Sequence, residues 1–259
     1  MIEHNMNNSA KTQELRHYLA RYGLPPERPP IPLGHAGADT VLQGGLRPGA
    51  VHEVFAADWG AGGFAVLLAQ LAARGSLKKK GRPFFWVRPD YEALEYGAIS
   101  PNGLAELGGD PQGLVLVRTR NAAGALAAAA DILACPHVGA LLLEVAGEHK
   151  CLDIVASRRL SLAASESGVT VMLLRAGAAP QPSAALTRWH VKSAPSHPAD
   201  DDWGNPVFNA ALTRHRLGGL GQFLMQWNSQ DACFNTADIG AVAATASDRQ
   251  TYPQARIAV

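Results

Sequence analysis

Residues 56–71 read A-A-D-W-G-A-G-G-F-A-V-L-L-A-Q-L, a glycine-rich turn followed by an apolar segment of helical length. The residues before the turn, 50–56, read A-V-H-E-V-F-A and predict a buried strand. A strand, a glycine-rich turn and a helix in this order form the framework of a phosphate-binding loop. The stretch therefore predicts an α/β fold and raises the question of whether it binds phosphate.

The side chains that hold phosphate in such loops are missing from this one. A working loop needs a lysine on the β and γ oxygens and a hydroxyl on magnesium. The lysine position falls on Gly62 or Gly63, and the hydroxyl position falls on Gly63 or Phe64. Gly60, Gly62 and Gly63 could still form a backbone nest at a helix N-terminus, where the helix dipole favours anions. We interpret the stretch as a degenerate phosphate loop whose glycines serve strand–helix packing.

Strand and helix patterns alternate through the middle of the chain. Strands are predicted at residues 83–88, 113–118, 138–145 and 169–175, and helices at 63–74, 122–134 and 152–165. Strands that are apolar on both faces imply a parallel sheet covered on both sides by crossover helices. Residues 186–191, 207–213 and 222–227 lack intervening helices and predict antiparallel strands. The predicted fold class is α/β, a mostly parallel sheet flanked by helices with antiparallel C-terminal strands.

The two ends of the chain differ from this core. Residues 12–22 place apolar side chains on one helical face, and the proline-rich residues 24–32 predict a linker. After Asn228 the apolar periodicity fades. We expect an N-terminal helix and linker at 1–30, a core at 31–228 and a flexible C-terminal tail at 229–259.

Composition excludes several classes of function. A net charge of +1 argues against binding to nucleic acid or to an anionic membrane that is driven mainly by electrostatic attraction. No apolar segment is long enough to span a membrane, and the polar N-terminus lacks the apolar core of a signal peptide. The 3 cysteines form no CxxC pair or disulfide framework, and the 9 histidines show no metal-ligand spacing. These features predict a cytoplasmic protein without a metal site.

Several segments in order resemble known families. Residues 31–49, I-P-L-G-H-A-G-A-D-T-V-L-Q-G-G-L-R-P-G, are similar to the segment that leads into the first core strand of RecA-type ATPases. More narrowly, residues 32–234 resemble the ImuA family of bacterial inducible-mutagenesis proteins. The resemblance is carried, in order, by L-Q-G-G-L-R-P-G-A-V-H-E-V-F, F-W-V-R-P-D-Y-E-A-L-E-Y-G, G-L-V-L-V-R, A-S-R-R-L-S-L-A-A-S-E-S-G-V-T and P-S-A-A-L-T-R-W-H-V.

The resemblance implies a RecA-like P-loop core and a function in the SOS response to DNA damage. ImuA-like proteins work in translesion synthesis with ImuB, which resembles Y-family polymerases, and with an error-prone polymerase III alpha subunit. The expected partner is therefore an ImuB-like protein, with RecA as a further candidate and the polymerase subunit contacted indirectly. DNA would be contacted at most indirectly, because the connections predicted at residues 146–151 and 176–183 are short and lack aromatic platforms.

The same resemblance places an acid of the Walker B type at Glu144, at the end of L-L-L-E-V. RecA-like ATPases usually have aspartate there. We expect Glu144 to be either a water-mediated magnesium ligand or a strand-end carboxylate that meets solvent. The residue that orients the attacking water has only Asp90 as a distant substitute. We expect negligible ATP hydrolysis and no required cofactor. Residual ATP binding is compatible with this expectation.

A further segment, residues 212–221, reads L-T-R-H-R-L-G-G-L-G. It resembles the K-x-R finger and glycine turn with which RecA-like helicases and recombinases reach a neighbour's γ-phosphate. Arg214 and Arg216 would be the finger tips, and strand alternation would point both to one sheet face. The alternative is a solvated hairpin beside a glycine turn.

The leading hypothesis is a non-catalytic RecA-like accessory protein of translesion synthesis that acts by protein–protein contacts. One alternative is a RecA-type ATPase with an unorthodox phosphate loop, in which Lys78–Lys80 or Arg88 replaces the missing lysine. The other is a division inhibitor resembling SulA, which is also RecA-like without ATPase chemistry. The P-S-A-A-L-T-R-W-H-V and A-S-R-R-L segments match the ImuA pattern more closely.

Overall fold

The computed structural model describes residues 28–58, 60–74, 82–135, 137–196 and 204–237. The helix predicted at 12–22, the lysines 78–80 and the end of the chain beyond residue 237 lie outside these residues. Within them, helices lie at α1 (Ala36–Val41), α2 (Gly62–Arg74), α3 (Asp90–Tyr96), α4 (Pro101–Glu106), α5 (Ala122–Leu133) and α6 (Ile154–Ser167). Strands lie at β1 (Val51–Ala56), β2 (Phe84–Pro89), β3 (Leu114–Thr119), β4 (Ala140–Glu144), β5 (Thr170–Ala176), β6 (Thr187–Ala194), β7 (Val207–His215), β8 (Gly221–Asn228) and β9 (Cys233–Thr236).

All nine strands form one sheet in the order β3-β2-β4-β5-β1-β6-β7-β8-β9. β3, β2, β4, β5, β1 and β6 run parallel, and β7, β8 and β9 are added antiparallel. This confirms the predicted mostly parallel α/β fold with antiparallel C-terminal strands. β1 lies at the centre with only β5 between it and β4, so the carboxyl ends of these strands meet at one edge of the sheet.

Two apolar layers hold the sheet. β1, β4 and most of β5 are buried along their length, as strands covered on both faces must be. On one face, α2 buries every residue from Phe64 to Ala73. On the other face, α5 and α6 cover the parallel strands with alanine, leucine and isoleucine side chains. Asn121 and Asp153 cap the N-termini of α5 and α6, and Gly168 ends α6 in the left-handed conformation that glycine adopts most readily.

The direction of β6 differs from the sequence-based expectation. Its alternating pattern predicted an antiparallel strand, but it pairs parallel with β1 from His52 to Ala56. Residues 177–186 carry the chain from the carboxyl end of β5 back to the amino end of β6. An extended segment of that length spans roughly 33 Å, enough to run back along a strand without a helix. The chain therefore makes a parallel crossover between β5 and β6 although the sequence between them has no helical pattern.

The sheet also continues past the boundary expected at residue 228. β9 pairs with β8 from Cys233 to Thr236, and the side chain of Phe234 is fully buried. Phe234 packs against Trp227 with ring centroids 4.9 Å apart and against Phe64 of α2 at 5.2 Å. One apolar residue on a four-residue strand is too weak a periodic signal to predict. The predicted boundary therefore falls one strand too early.

No helix among the described residues is both long and apolar enough to cross a membrane.

Candidate functional site

A cavity of about 610 Å³ lies at the carboxyl ends of β1, β2, β4 and β5, beneath the segment that links α3 to α4. In open α/β sheets this edge is where ligands bind. The cavity brings together Gly62 and Gly63 of the degenerate phosphate loop and Glu144 of β4. The other predicted glycine, Gly60, lies in the turn just before α2 and is not part of the cavity lining.

The three loop glycines have different surroundings. A Cβ added at Gly60 would collide with the hydroxyl oxygen of Ser193 on β6, so glycine is needed there for close approach. A Cβ at Gly62 would meet only Leu174 at 3.6 Å, and one at Gly63 would meet only Phe208 at 3.8 Å. Both are ordinary contacts, and neither residue has a positive φ. Packing therefore explains Gly60 but leaves side-chain space at positions 62 and 63.

A carboxylate of the loop itself already binds donors at this site. The carboxylate of Asp58 accepts from the Ala61 N–H at 2.9 Å, from the Ser193 N–H at 2.9 Å and from the Ser193 hydroxyl at 2.5 Å. Partial burial raises the pKa of the Asp58 carboxyl, but these hydrogen bonds outweigh it and hold the pKa below its usual value. A fixed negative charge therefore stands at the start of α2, where a phosphate would need to sit.

Glu144 is also occupied by internal partners. Its carboxylate accepts from the indole N–H of Trp86 at 2.7 Å and lies 3.3 Å from the guanidinium of Arg88. Burial raises the pKa of Glu144, and the charge of Arg88 and the Trp86 hydrogen bond oppose this shift without cancelling it. Each carboxylate oxygen of Glu144 therefore has an internal partner. Only 6 % of the residue is exposed, so the expectation of a strand-end carboxylate that meets solvent is wrong.

Arg88 and Asp90 follow each other at the end of β2 but have different surroundings. The Arg88 guanidinium donates to the carbonyl oxygen of Gly97 at 3.1 Å, and its Nε has no hydrogen-bond partner among the residues that the structure describes. Only 4 % of Arg88 is exposed, so it is held in the wall of the cavity instead of reaching across the loop. Asp90 pairs with Arg118 of the edge strand β3 at 2.8 Å and does not line the cavity.

Arg214 and Arg216 lie at the other end of the sheet. In the antiparallel register of β6 and β7, Arg214 lies opposite Arg188 at the amino end of β6. Arg188 is five residues, or roughly 17 Å, from Ser193, which touches the glycine loop at the other end of β6. Both finger-like arginines contact the crossover after β5, Arg214 at the Ser183 hydroxyl and Arg216 at the Ala184 carbonyl oxygen. Burial, followed by the charges of Arg188 and Arg216, lowers the pKa of Arg214. The structure does not bring these arginines to the cavity of the same chain.

Comparison with known proteins decides the family. Protein ImuA from two strains of Caulobacter vibrioides is 32% identical over 214 residues, which cover 76% of this chain and 83% of the relative. The chain belongs to the ImuA family. No protein-family model matches it. Membership places this ImuA-family chain among the inducible-mutagenesis proteins and agrees with the resemblance carried by its ordered segments.

Two features of this ImuA-family chain escaped the sequence analysis. Asp58 accepts from the N–H of Ala61, three residues on in the turn before α2, and aspartates commonly bond nearby backbone in turns, so turn chemistry could have indicated it. No local pattern predicts that Ser193 donates hydrogen bonds to the same carboxylate, because 135 residues separate Ser193 from Asp58. Within the described residues, no group of three or more His, Cys, Asp or Glu side chains is placed to hold a metal ion.

Proposed function

We propose that this ImuA-family chain is a non-catalytic accessory protein of SOS-induced translesion DNA synthesis. It acts by protein–protein contacts, with an ImuB-like polymerase-fold protein as the principal partner. RecA is a second partner, and the error-prone polymerase III alpha subunit is reached indirectly. The core is a RecA-like scaffold whose phosphate loop no longer supports nucleotide chemistry.

The observation that carries the proposal is the position of the Asp58 carboxylate. It accepts hydrogen bonds from the loop and from Ser193 at the start of α2. A phosphate placed against the loop would meet this negative charge. Two unit charges about 4 Å apart repel by roughly 1 kcal/mol when water screens them, as it does at the exposed Asp58 side chain. Because the loop supplies no lysine to offset the repulsion, the loop disfavours ATP.

The other side chains that an ATPase would use also have internal partners. Glu144 is bound to Trp86 and Arg88, and Asp90 is bound to Arg118. Arg88, one candidate to replace the missing lysine, is held by Glu144 and by the carbonyl oxygen of Gly97. These contacts support a protein in which the RecA-like framework is kept and the catalytic groups have structural roles.

Indirect contact with DNA fits the two connections after β4 and β5. Residues 145–153 and 177–186 are short and contain no Phe, Tyr or Trp side chain. Single-strand binders use such side chains as stacking platforms for bases. The proposal therefore assigns DNA recognition to the partners.

Nucleotide titration and steady-state turnover test the non-catalytic role. With magnesium present, ATP should bind no more tightly than millimolar, about 4 kcal/mol, and should not be hydrolysed. Glu144→Gln, which keeps an acceptor for Trp86, should restore damage-induced mutation in a strain lacking the protein as well as wild type does. Turnover that disappears in Glu144→Gln would establish the ATPase alternative instead.

A binding measurement tests the partner. The purified chain should bind the ImuB-like protein of its own organism and should not inhibit polymerisation of the tubulin-like division protein. Inhibition of that polymer, without binding to the ImuB-like protein, would favour the SulA-like alternative.

A further inference from the structure

The cavity over the degenerate phosphate loop has an apolar wall. It includes Val66 of α2, Ile99 of the α3–α4 link, Leu104 of α4, Leu107 just after α4 and Leu174 of β5. A volume of about 610 Å³ lies within the usual range for sites that take a small ligand or a few side chains. The cavity can therefore accept a bulky apolar group.

The charged groups of the cavity favour a cation. Three carboxylates line it, those of Asp58, Glu95 and Glu144, against the single guanidinium of Arg88. Glu144 is already paired with Arg88, whereas within the described part of the chain Asp58 receives only uncharged hydrogen-bond donors and Glu95 is exposed. An anionic ligand would meet two uncompensated negative charges. A ligand with a positive group beside its apolar part would be complementary to the site.

The proposed protein–protein role selects a peptide among the ligands that would fit. A segment of a partner protein can supply an apolar side chain and a basic side chain next to each other, whereas a hydrocarbon ligand supplies no charge.

We propose that this cavity is the docking site for a segment of a partner protein that carries a bulky apolar side chain next to a lysine or arginine. The apolar side chain fills the space between Ile99 and Leu107. The basic side chain lies against Asp58 and Glu95 at the rim. This inference rests on the proposed function, because it assigns the protein–protein contact to the site that a RecA-like ATPase would give to nucleotide.

Two substitutions at the rim test the site without entering the core. Ala98→Trp introduces a large ring at an exposed position that lines the cavity, and Glu95→Lys reverses an exposed charge there. Leu162→Ser is the matched control, since Leu162 is an exposed apolar residue on α6, on the opposite face of the sheet. Urea unfolding of each variant establishes that it is folded.

The probe is a displayed library of random linear peptides, selected on the full-length protein. Enriched peptides should share a bulky apolar residue beside a lysine or arginine. The best of them should bind Ala98→Trp and Glu95→Lys at least about tenfold more weakly than wild type. They should bind Leu162→Ser as they bind wild type, and millimolar ATP should not displace them.

Two results would overturn the docking site: equal enrichment on wild type and Ala98→Trp, or selection of acidic peptides. Displacement of the peptides by ATP would instead overturn the proposed loss of nucleotide binding. Binding of the ImuB-like protein to wild type and the three variants separates this inference from the proposed function. Equal binding to wild type and to both rim variants refutes the docking site alone. Selection of the expected peptides without binding of the ImuB-like protein refutes the proposed partner alone.

Discussion

Phe234 offers a direct test of where the folded core ends. Its side chain is fully buried, and its ring centroid lies 4.9 Å from that of Trp227, 5.2 Å from that of Phe64 and 6.3 Å from that of Phe208. Replacing a fully buried phenylalanine by alanine lowers the free energy of unfolding by about 3–5 kcal/mol. Because Phe234 touches both α2 and two neighbouring strands, we expect Phe234→Ala to lose about 4 kcal/mol.

Urea unfolding, followed by tryptophan fluorescence, gives this loss as a shift in midpoint. With a slope of about 3 kcal/mol per molar urea, a loss of about 4 kcal/mol moves the midpoint down by about 1.3 M. A domain is stable by only about 5–15 kcal/mol, so the variant should be close to unfolding at elevated temperature.

Asn235→Ala is the matched control, because Asn235 is the next residue on β9 and is exposed. It should shift the midpoint by less than about 0.2 M, as surface substitutions usually do. A shift below about 0.4 M for Phe234→Ala would refute the reasoning. In that case Phe234 would not be buried against α2 in solution, and the boundary first expected at residue 228 would stand.

Three further variants test local features. Burial lowers the pKa of His52 from 6.5 to about 4, so between these pH values the unfolded chain takes up a proton that the folded chain does not. As the pH is lowered from 6.5 to 4, the free energy of unfolding should therefore decrease, by at most about 3 kcal/mol. His52→Gln should weaken this pH dependence in urea titrations. Gly62→Ala should raise the unfolding free energy by about 0.4–1 kcal/mol, because its Cβ meets only Leu174 in ordinary contact; a lower melting temperature would contradict this. Asp58→Ala should lower the free energy of unfolding by about 1 kcal/mol through loss of the hydrogen bonds to Ala61 and Ser193, whereas unchanged stability would mean that the carboxylate does not hold the loop.

The candidate site was only partly accessible to sequence analysis. The glycine-rich turn and the absence of its lysine and hydroxyl are local features, and they led to the expectation of a degenerate loop. The partners of Glu144 lie 56 and 58 residues away in the chain, and no pattern in L-L-L-E-V indicates them. The roles of Arg88 and Asp58 depend in the same way on strands that meet only after folding.

The sequence by itself determined the class of fold and the family. Apolar runs of strand length, alternating with helical segments, require a parallel sheet covered on both faces, and burial follows from that local pattern. Tertiary structure alone decided the direction of β6, the addition of β9 and the closure of Ser193 over Asp58. The physical reason is that periodicity records which face of an element is buried. Strand order, crossover direction and side-chain pairing depend on contacts between residues far apart in the chain.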